Sequence, residues 1–583
     1  MLEWPNGTGL PTGWRAGTQE APFPLAERVF IGVAWPYPNG PLHIGHIAGC
    51  YLPADIFARY HRLAGNDVLM VSGSDQHGTP ITVLAEREGM APAAIAGRYH
   101  ASFLESWEQL GISFDLYTST GTENHARTAQ EIFLRLLEHD FIYTATTTLP
   151  FCENDKRFLP DRYINGTCPH CGFSDARGDE CDSCGRPLDP FELRDPRCQF
   201  CGSAPVGRDS EHFFLRLSAF ADELYAWAKE QRHWRPSVYN FTLRYLEDGL
   251  RDRAITRDIE WGLPIPVPGY ENKRLYIWFE NIIGYLSASK EWAQRQGQPE
   301  RWRGFWEGGQ ARSYYFIGKD NLFFHTLQWP AELMGFGGLN LPYDVPANEF
   351  LNLEGRPLST SRGWAVWVPE YLSRFQPDPL RYYLSAIMPE AADTDFSWEE
   401  FVRRNNDELV ATYGNLAHRL LTFTYRNFEG AVPLYGAFGP EEETLIERCR
   451  ATLDAVGHSL SRCRFREALR AAMELAHEGN RYLDTKAPWR TIRTDRAATA
   501  ITLGAGLSAV NALKVALAPF LPFSSDRLQT LLGFSRPLAP GDWRFEPIPP
   551  GQRLPEPQPL FAKLDDAIVE EERQRLGQIA SPS

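Results

Sequence analysis

The sequence has few cysteines, no excess of basic residues and no uninterrupted apolar run that could cross a membrane. Ten cysteines in 583 residues are too few for a disulfide scaffold. The most apolar stretch, residues 501–523, is interrupted by Ser508, Asn511 and Lys514, and this pattern predicts a buried helix. The net charge of −15 argues against indiscriminate coating of DNA, although a local basic patch can still bind nucleic acid.

A secretory signal is also missing from the sequence. Residues 1–26 contain Pro, Gly and Thr but no basic region followed by an apolar run, so we expect a loose leader and a cytoplasmic protein. The composition is otherwise that of a globular protein, with 43% hydrophobic and 23% charged residues. A chain of this length is expected to form three to five domains.

The first part of the chain alternates strand and helix signals. A short apolar run from Arg28 to Ala34 predicts a strand, a helical pattern follows from about His43 to Ala64, and Asp67–Ser72 predicts a second strand. A strand–helix–strand unit of this length predicts a parallel sheet. Residues 143–266 change to short strands, turns and cysteine pairs, which we interpret as an insertion, and residues 398–522 have helical periodicity.

Six of the ten cysteines fall in three Cys-x-x-Cys pairs. The first two pairs are Cys168, Cys171, Cys181 and Cys184. Their spacing is typical of a tetrahedral zinc knuckle, because four thiolates brought together by two tight turns match the geometry that Zn²⁺ prefers. The sequence therefore predicts one structural zinc site.

The segment from Trp35 to His46 is the strongest local signal. Its histidines, His43 and His46, are three residues apart at a predicted helix start and share one face. The free N–H groups and the dipole of a helix N-terminus suit a phosphate, and Gly45 lets a flat ligand approach the backbone. A His-x-x-His pair alone is more often incidental, whereas the strand–turn–helix context favours a nucleotide site.

His43-Ile-Gly-His46 resembles the nucleotide-binding signature of class I aminoacyl-tRNA synthetases, and the flanking sequence resembles the methionyl-tRNA synthetase family of that class. The resemblance covers about residues 28–565, in order and with plausible spacing. Its further motifs are Gly73–Ile81, Phe158–Arg162, Tyr276–Trp278, Gly284–Tyr285, Gly318–Asp320, Phe324–His325, Arg403–Val410, Pro488–Trp489 and Pro559–Phe561.

The resemblance implies an α/β fold. We expect a Rossmann-type parallel-sheet catalytic domain with a zinc-bearing connective-peptide insertion, followed by an α-helical-bundle anticodon-binding domain. The expected boundaries are a leader at 1–26, the first half of the catalytic domain at 27–142, the insertion at 143–266, the second half at 267–340, a signature-loop linking region at 341–397, and the anticodon-binding domain with its C-terminal return at 398–583.

The resemblance also implies the activity: methionine is activated by ATP with Mg²⁺ to methionyl-adenylate and transferred to the 3′ adenosine of tRNA(Met). By position, His43 and His46 would stabilise charge on the triphosphate. The residues expected at ATP are His43, Gly45, His46, Gly318, Asp320 and Leu358. The residues expected around methionine are Trp35, Tyr37, Asp75, Trp278, Asn281, Tyr285, Phe324 and His325. Asp75 would pair with the ammonium group, and the aromatic rings suit a polarisable sulfur.

Two departures from the family bear on activity. Asn281 stands where the family commonly has Ala, and such a change in a pocket could retune its specificity. In the signature loop, Pro357 and Thr360 replace both lysines that normally reach the triphosphate. The expected catalytic residues of this loop are Ser359, Ser361, Arg356 and Arg362, where the two arginines can supply the missing charge. The alternative is a weakened loop and a slow enzyme.

The helical region carries the expected tRNA contacts. Asn415 and Arg419 lie four residues apart on one helical face, and Trp489 matches an aromatic residue on which an anticodon base stacks. An ordinary polar helix face is the alternative for Asn415 and Arg419. Because the chain ends soon after Gln578, without room for a further module, we expect a monomer.

The third cysteine pair leaves two interpretations open. Some relatives join Cys198 and Cys201 to an upstream Cys-x-x-Cys, and here that upstream motif is Cys152-Glu-Asn-Asp155. A second zinc site of three thiolates and one carboxylate is one prediction, since Asp also binds Zn²⁺. The alternative is a vestigial site with free thiols.

Three functions remain compatible with the sequence. The first is a methionine–tRNA ligase, and the second is a paralogous class I ligase with a retuned amino-acid pocket. The third is an inactive tRNA-binding paralog that keeps the fold and the zinc. The intact His43, His46, Asp75 and Trp489 argue against the third.

Overall fold

The structure of the protein is a computed structural model. It describes residues 27–577 except 179, 180, 182, 185, 187, 189 and 361. The expected leader at 1–26 and the expected catalytic residue Ser361 therefore lie outside the described residues, as do residues 578–583.

The described chain contains short and long strands in five sheets. In chain order the strands are β1 (Arg28–Val33), β2 (Asp67–Ser74), β3 (Leu116–Ser119), β4 (Ile142–Cys152), β5 (Arg157–Phe158), β6 (Ile164–Thr167), β7 (Ala176–Arg177), β8 (Arg194–Cys198), β9 (Val206–Leu215), β10 (Arg253–Ala254), β11 (Thr256–Arg257), β12 (Arg274–Leu275), β13 (Ala311–Gly318), β14 (Ala347–Asn348), β15 (Leu351–Leu353), β16 (Arg356–Pro357) and β17 (Thr394–Phe396).

Helices make up most of the second half of the chain. In chain order they are α1 (Ile44–His46), α2 (Leu52–Leu63), α3 (Thr79–Glu88), α4 (Pro92–Leu110), α5 (Glu123–Glu138), α6 (Ala221–Glu230), α7 (Pro236–Glu247), α8 (Ile277–Arg295), α9 (Arg303–Trp306), α10 (Trp329–Phe336), α11 (Val368–Leu372), α12 (Pro377–Ala386), α13 (Trp398–Arg404), α14 (Asn415–Asn427), α15 (Pro440–Leu460), α16 (Phe465–Lys486), α17 (Pro488–Thr491), α18 (Arg496–Leu517), α19 (Pro522–Leu531) and α20 (Ala567–Arg575). Within the described residues, three π-helical segments continue neighbouring helices: Ile47–Tyr51, Phe324–Gln328 and Asn405–Gly414.

The central sheet is parallel and confirms the predicted strand–helix–strand unit. Its order is β14-β13-β1-β2-β3, so β1 lies in the middle with β13 and β2 on either side. β1 is apolar and almost fully buried because helices cover both faces of the sheet. The connections leave β1 in opposite directions, and at such a point a parallel sheet opens a crevice at the carboxyl ends of its strands.

The helix after β1 runs from α1 through a π-helical turn into α2. His43 caps its start, since its Nδ1 accepts a hydrogen bond from the Gly45 N–H. Pro53 has no N–H group to donate to the preceding turn, and the π-helical turn at residues 47–51 ends two residues before it. The Asn348 amide, on β14, donates to the Ala48 carbonyl inside this turn at 2.9 Å.

The region predicted as an insertion contains most of the antiparallel strands. β10, β9, β4 and β5 form one sheet, and β7, β6 and β8 form a smaller sheet beside the cysteine pairs. The region also contains α6 and α7, which the expected pattern of short strands and turns left out. Both helices bury a narrow apolar stripe, led by Leu224, Ala228 and Val238, and most of their other side chains are exposed or half-buried.

The helical periodicity predicted for residues 398–522 is confirmed by α13 to α18. α18 is the one helix of the described residues that is long and apolar enough to cross a membrane, and 94% of its apolar window is buried inside the protein, as in a core helix. Residues 533–566 return over the surface to the first domain, where the Gly541 and Trp543 N–H groups donate to the Leu63 carbonyl. The chain then forms α20, a helix that the sequence did not predict.

A fully buried ion pair joins the halves of the molecule. Arg381 in α12 donates to Asp55 Oδ2 in α2 at 2.6 Å, and it also donates to the carbonyls of Leu110, Pro519 and Phe520. Although burial raises the pKa of Asp55, the guanidinium groups beside it outweigh burial and lower the pKa to about 2. Three helices that are distant in sequence therefore meet at one side chain.

Replacing Arg381 by Met should destabilise the protein by about 3–5 kcal/mol, because it removes the buried cation paired with Asp55 and leaves the carbonyls of Leu110, Pro519 and Phe520 without this donor. The matched control is Arg59→Met, which removes the other, partly exposed partner of Asp55. Urea unfolding of both variants measures the effect. Equal midpoints for Arg381→Met and Arg59→Met would contradict the role given to Arg381.

Candidate active site

The crevice at the carboxyl end of β1 is lined by the two histidines of the predicted nucleotide motif. The rings of His43 and His46 stack with centroids 3.8 Å apart. The His43 N–H donates to His46 Nδ1 at 3.2 Å, and the Gly45 N–H donates to His43 Nδ1 at 3.1 Å. In the neutral form of each ring the proton is therefore on Nε2.

Both histidines are held uncharged by their surroundings. Burial lowers the pKa of His43 well below its ordinary value, and the neighbouring His46 adds to the shift. Burial also lowers the pKa of His46 to about 4, against a smaller opposite effect of its hydrogen bond with the His43 backbone. At neutral pH the pair presents two neutral N–H donors at a helix start, which suits an anionic ligand.

All eight residues that the sequence predicts around an amino acid line one enclosed cavity of about 140 Å³. They come from the loop after β1, the end of β2, helix α8 and the π-helical turn before α10. The full lining is Ala34, Trp35, Tyr37, Asp75, Trp278, Asn281, Ile282, Tyr285, Asp320, Asn321, Phe324 and His325. The sequence did not single out Ala34 and Asn321, whose only signal is that each adjoins a predicted residue.

The polar end of this cavity is the carboxylate of Asp75. Its Oδ2 accepts a 2.8 Å hydrogen bond from Asn281 Nδ2, whereas Oδ1 is buried and meets no hydrogen-bond partner among the described residues. Burial raises the pKa of Asp75 well above its ordinary range, and the nearby Glu280 contributes. A buried carboxylate oxygen without a donor is a site for a cation.

The apolar end of the cavity is built from aromatic rings. Trp278 and Phe324 stack at 4.3 Å with their planes 9° apart, and Tyr37 meets Trp278 edge-on. Tyr285 donates its hydroxyl proton to His325 Nε2 at 2.8 Å, because His325 Nδ1 already donates to the Asn321 carbonyl. The walls are therefore fixed before any ligand binds.

The floor of the cavity needs glycine at two positions. A Cβ on Gly73 would lie 2.3 Å from Trp35 Cζ3, and a Cβ on Gly284 would lie 2.7 Å from Trp35 Cζ2. Neither position leaves room for any other residue without moving the indole ring. This explains in steric terms why both motifs contain glycine.

A second carboxylate, Glu280, lies behind Asp75 and was missed by the sequence analysis as a site residue. His77 Nδ1 donates to Glu280 Oε1 at 2.9 Å, and His125 Nε2 lies 3.6 Å from Oε2. Burial raises the pKa of Glu280, but the two histidines lower it overall. The position of His77 inside a recognised motif was the one available signal.

The residues predicted for adenosine flank the same cavity. Asp320 follows β13 and folds back on Gly318, where a Cβ would lie 2.6 Å from the Asp320 carboxylate. On the other side, a Cβ on Gly45 would lie 2.5 Å from Leu358 Cδ1, so the signature loop packs on the helix start. Of the six residues predicted for ATP, Asp320 lines the cavity and Gly318 adjoins it. Leu358 contacts the helix start that carries His43, Gly45 and His46.

The signature loop is a hairpin between β15 and Trp364. The Ser359 and Trp364 backbones exchange two 2.9 Å hydrogen bonds, and Arg362 Nε donates to Ser359 Oγ at 3.1 Å. The Arg356 guanidinium lies over the Trp364 ring, 5.0 Å from its centroid. The loop is tied to the nucleotide motif because the Ile44 N–H donates to the Val366 carbonyl.

The three predicted anticodon residues form one surface patch. Arg419 donates to Asp484 at 2.7 Å, and its guanidinium lies 5.1 Å from the centre of the Trp489 ring. Asn415 is exposed one helical turn before Arg419, and 43% of Trp489 is exposed, which is unusual for a tryptophan. The structure therefore places all three at one site.

Both cysteine clusters have metal-binding geometry. The ligand atoms of Cys168, Cys171, Cys181 and Cys184 all lie within 4.8 Å of one another. The same is true of Cys152, Asp155, Cys198 and Cys201. In the second cluster Cys198 Sγ lies 3.1 Å from Asp155 Oδ2, and the Asp155 N–H donates to Cys152 Sγ. Each cluster could hold one metal ion.

The sequence and the fold both match known proteins. The family model described as tRNA synthetases class I (M) matches residues 29–421, and the model described as the anticodon binding domain of methionyl tRNA ligase matches residues 432–581. The methionine–tRNA ligase of Dehalococcoides mccartyi is 60% identical over 95% of this chain and 100% of that protein. That of Thermomicrobium roseum is 54% identical over 95% of this chain and 99% of that protein.

A solved structure supports the same relationship. The Mycobacterium tuberculosis methionyl-tRNA synthetase bound by methionyl-adenylate superposes with a TM-score of 0.77 and 25% identity, covering 92% of this chain and all of that chain. The parallel sheet and the histidine pair at its helix start define a class I aminoacyl-tRNA synthetase, and hence an aminoacyl-tRNA ligase. Within that class, the chain belongs to the methionyl-tRNA synthetase family.

The site makes stability depend on pH through His325. Burial lowers the pKa of His325 to about 4, so between pH 6.5 and 4 only the unfolded state binds the proton. The difference in the free energy of unfolding between wild type and His325→Gln should therefore favour wild type most above pH 6.5, and this advantage should shrink as the pH falls toward 4. Urea unfolding from pH 7.5 to 4.5 measures this difference, with the exposed His458→Gln as control. Parallel pH curves for wild type and His325→Gln would rule the explanation out.

Proposed function

We propose that this chain is a methionine–tRNA ligase, which forms methionyl-adenylate from methionine and ATP and then esterifies the 3′ adenosine of tRNA(Met). The observation that carries the proposal is the cavity of about 140 Å³, in which one buried carboxylate oxygen faces a set of aromatic walls. A zwitterion with an apolar, polarisable side chain fits this combination of groups.

Asp75 would hold the ammonium group of methionine through Oδ1. In the empty cavity, burial makes the charge of this carboxylate costly, and an arriving ammonium offsets that cost. Asn281 keeps Oδ2 occupied, so the free oxygen faces the cavity. Trp278 and Phe324 would then enclose the thioether, where each contact between sulfur and ring is worth roughly 0.3–1.5 kcal/mol.

His43 and His46 would act on ATP through their Nε2–H groups. A carboxylate oxygen of methionine attacks the α-phosphorus, and the bond from that phosphorus to pyrophosphate breaks. Negative charge grows on the phosphate oxygens in this step, so fixed neutral donors stabilise the transition state more than the ground state. Mg²⁺ that arrives with ATP would neutralise part of the triphosphate charge. Gly318 and Asp320 would hold the adenosine beside the pair.

The signature loop would supply the positive charge that its two absent lysines supply elsewhere in the family. Arg356 and Arg362 are the cations of the loop, and both are exposed. A guanidinium binds phosphate oxygens in a planar, bidentate manner, so it is a suitable replacement for an ammonium group. Ser359 and Leu358 would complete this wall of the ATP site.

The helical region would bind the anticodon of tRNA(Met). An exposed tryptophan flanked by an arginine and an asparagine offers one stacking face and several donors to base edges, as Trp489, Arg419 and Asn415 do here. Stacking on such a ring is worth roughly 1–3 kcal/mol per base. The catalytic domain would span residues 27–142 and 267–340, and the insertion residues 143–266. The linking region would span residues 341–397, and the anticodon-binding domain residues 398–583.

Both cysteine clusters would bind Zn²⁺. Four thiolates, or three thiolates and one carboxylate, within 4.8 Å of one another match the tetrahedral sites of this ion. Both sites would be structural, because each is closed by four protein ligands. We also infer a cytoplasmic monomer: free thiols persist in that compartment, and one chain supplies the whole cavity.

The proposal predicts ATP–pyrophosphate exchange that depends on methionine. Asp75→Asn should lower kcat/KM for methionine by about 100-fold or more, because it removes the carboxylate whose unpaired oxygen would face the ammonium group. The matched control is Asp222→Asn, an exposed aspartate in α6 that should leave exchange unchanged.

Each other outcome of this assay points to a named alternative. Exchange with a different amino acid would indicate a pocket retuned at Asn281. No exchange with any amino acid, from folded protein that still binds tRNA, would identify an inactive paralog.

Two equivalents of zinc are expected per chain. Cys168→Ser and Cys198→Ala should each lower the content to about one equivalent, since three ligands hold Zn²⁺ poorly in a closed structural site. Elemental analysis after dialysis measures the content, and Cys449→Ala, in the buried core away from both clusters, is the control. One equivalent in the wild type, lost only in Cys168→Ser, would show that the second cluster is vestigial.

A further inference from the structure

The last helix of the described chain, α20, contacts the signature loop at both of its ends. At the first end, Arg573 Nε in α20 donates to Glu354 Oε2 at 3.1 Å, and Arg573 Nη2 lies 3.0 Å from the same oxygen. After the loop, the Gly577 N–H donates to the Gly363 carbonyl at 3.1 Å. These contacts join residues more than two hundred positions apart in the sequence.

Glu354 is largely buried and contacts two helices, α13 and α20. It lies in the turn between β15 and β16 with a φ of 49°, and only 15% of its side chain is exposed. Its Oε1 accepts a 2.9 Å hydrogen bond from the Trp398 N–H at the start of α13. One carboxylate therefore connects the loop, α13 and α20, and such a shared ion pair is held more firmly than an isolated surface pair.

The helix that carries Arg573 is itself anchored. Ile568, Val569 and Leu576 pack against the main hydrophobic core, and Glu572 is buried in an ion pair with Arg374 after α11. α20 is thus fixed on the body of the protein on one side and touches the loop on the other. It can limit the movement of the two ends of the loop.

The loop between these ends carries the two cations on which the proposed chemistry depends. In the structure Arg356 lies over Trp364 and Arg362 contacts Ser359, so both guanidinium groups are still within the loop. To reach a triphosphate they must move, and the direction of that movement is set by where the ends of the hairpin are held. Fixing both ends reduces the number of positions that the cations sample before the reaction, which lowers the entropic cost of reaching ATP.

We propose that α20 positions the signature loop for adenylate formation, with Arg573 as the positioning residue that acts through Glu354. This role rests on the proposed function, because it concerns the step in which methionine attacks ATP. Arg573 touches neither substrate. Its effect should appear in the activation step and not in the later transfer to tRNA, since the transfer no longer involves a triphosphate.

The variants are Arg573→Ala and Glu354→Gln, which keeps the oxygen that accepts from Trp398 but loses the charge. Each should slow methionine-dependent formation of adenylate by roughly fivefold to tenfold. The double variant should be no slower than either single variant, because both remove the same contact. Arg573→Lys should recover part of the rate. The matched control is Arg575→Ala, on the same helix but paired only with Glu572 among its described contacts.

Three readouts separate positioning from general support of the fold. Transfer from preformed methionyl-adenylate to tRNA and the KM for methionine should stay at wild-type values in all variants. The thermal unfolding midpoint of Arg573→Ala should match that of Arg575→Ala. Trypsin should cut faster after Arg362 in Arg573→Ala, since the following Gly363 is one of the two attachment points, whereas the bond after Arg356 is protected by Pro357.

Two results of the activity assays would overturn the proposal, and one result of the cleavage assay would overturn it as well. One is equal adenylate formation in wild type, Arg573→Ala and Arg575→Ala. The other is an equal fall in adenylate formation and in transfer, together with a lower unfolding midpoint, which would make α20 a structural element only. Trypsin cleavage after Arg362 does not depend on enzymatic activity, so it tests the contact even if wild type fails to activate methionine. An equal rate of cleavage in wild type and Arg573→Ala would also reject the proposal. Absent exchange in the wild type would count against the proposed function alone.

Discussion

The ion pair between Arg381 and Asp55 is the contact on which the relation between the two halves of the molecule depends. Asp55 lies on the helix that begins at His43, and Arg381 also binds the carbonyls at the end of α18. The start of this helix carries the histidine pair, and its far end is held against the helical domain. A movement of the helical domain would therefore shift the helix that carries the proposed nucleotide site.

The side chains of the candidate active site are also held in place by contacts within the protein. Backbone N–H groups fix the tautomers of His43 and His46, and the Asn321 carbonyl fixes that of His325. Two glycines on different elements leave just enough space for Trp35. None of these arrangements needs a ligand to form, so little binding free energy is lost to ordering of side chains when substrates arrive.

The sequence predicted the fold and the cavity because their signals are local. The apolar run after Arg28 and the helical period after His43 are short local patterns. Seven of the eight cavity residues lie within recognisable short motifs, and Asn281 lies between two of them. The network of Glu280 with His77 and His125 could not be predicted, since Glu280 and His77 are 203 residues apart and nothing in the sequence pairs them. α20 was missed because its sequence is mostly charged and reads as solvated surface, and its docking depends on the long-range pair of Glu572 and Arg374.

Under the proposed function, the patch around Trp489 has a consequence for how a tRNA is discriminated. The Arg419 guanidinium already occupies a position against the indole and is held there by Asp484 before any RNA arrives. A base that stacks on this ring has to compete with that guanidinium, and the carboxylate repels an approaching phosphate. A tRNA that offers only backbone phosphates would gain little binding free energy at this patch. A tRNA with matching base edges would form hydrogen bonds that offset the loss of the ion pair between Arg419 and Asp484. The patch would reject unsuitable tRNAs through a contact made within the protein itself.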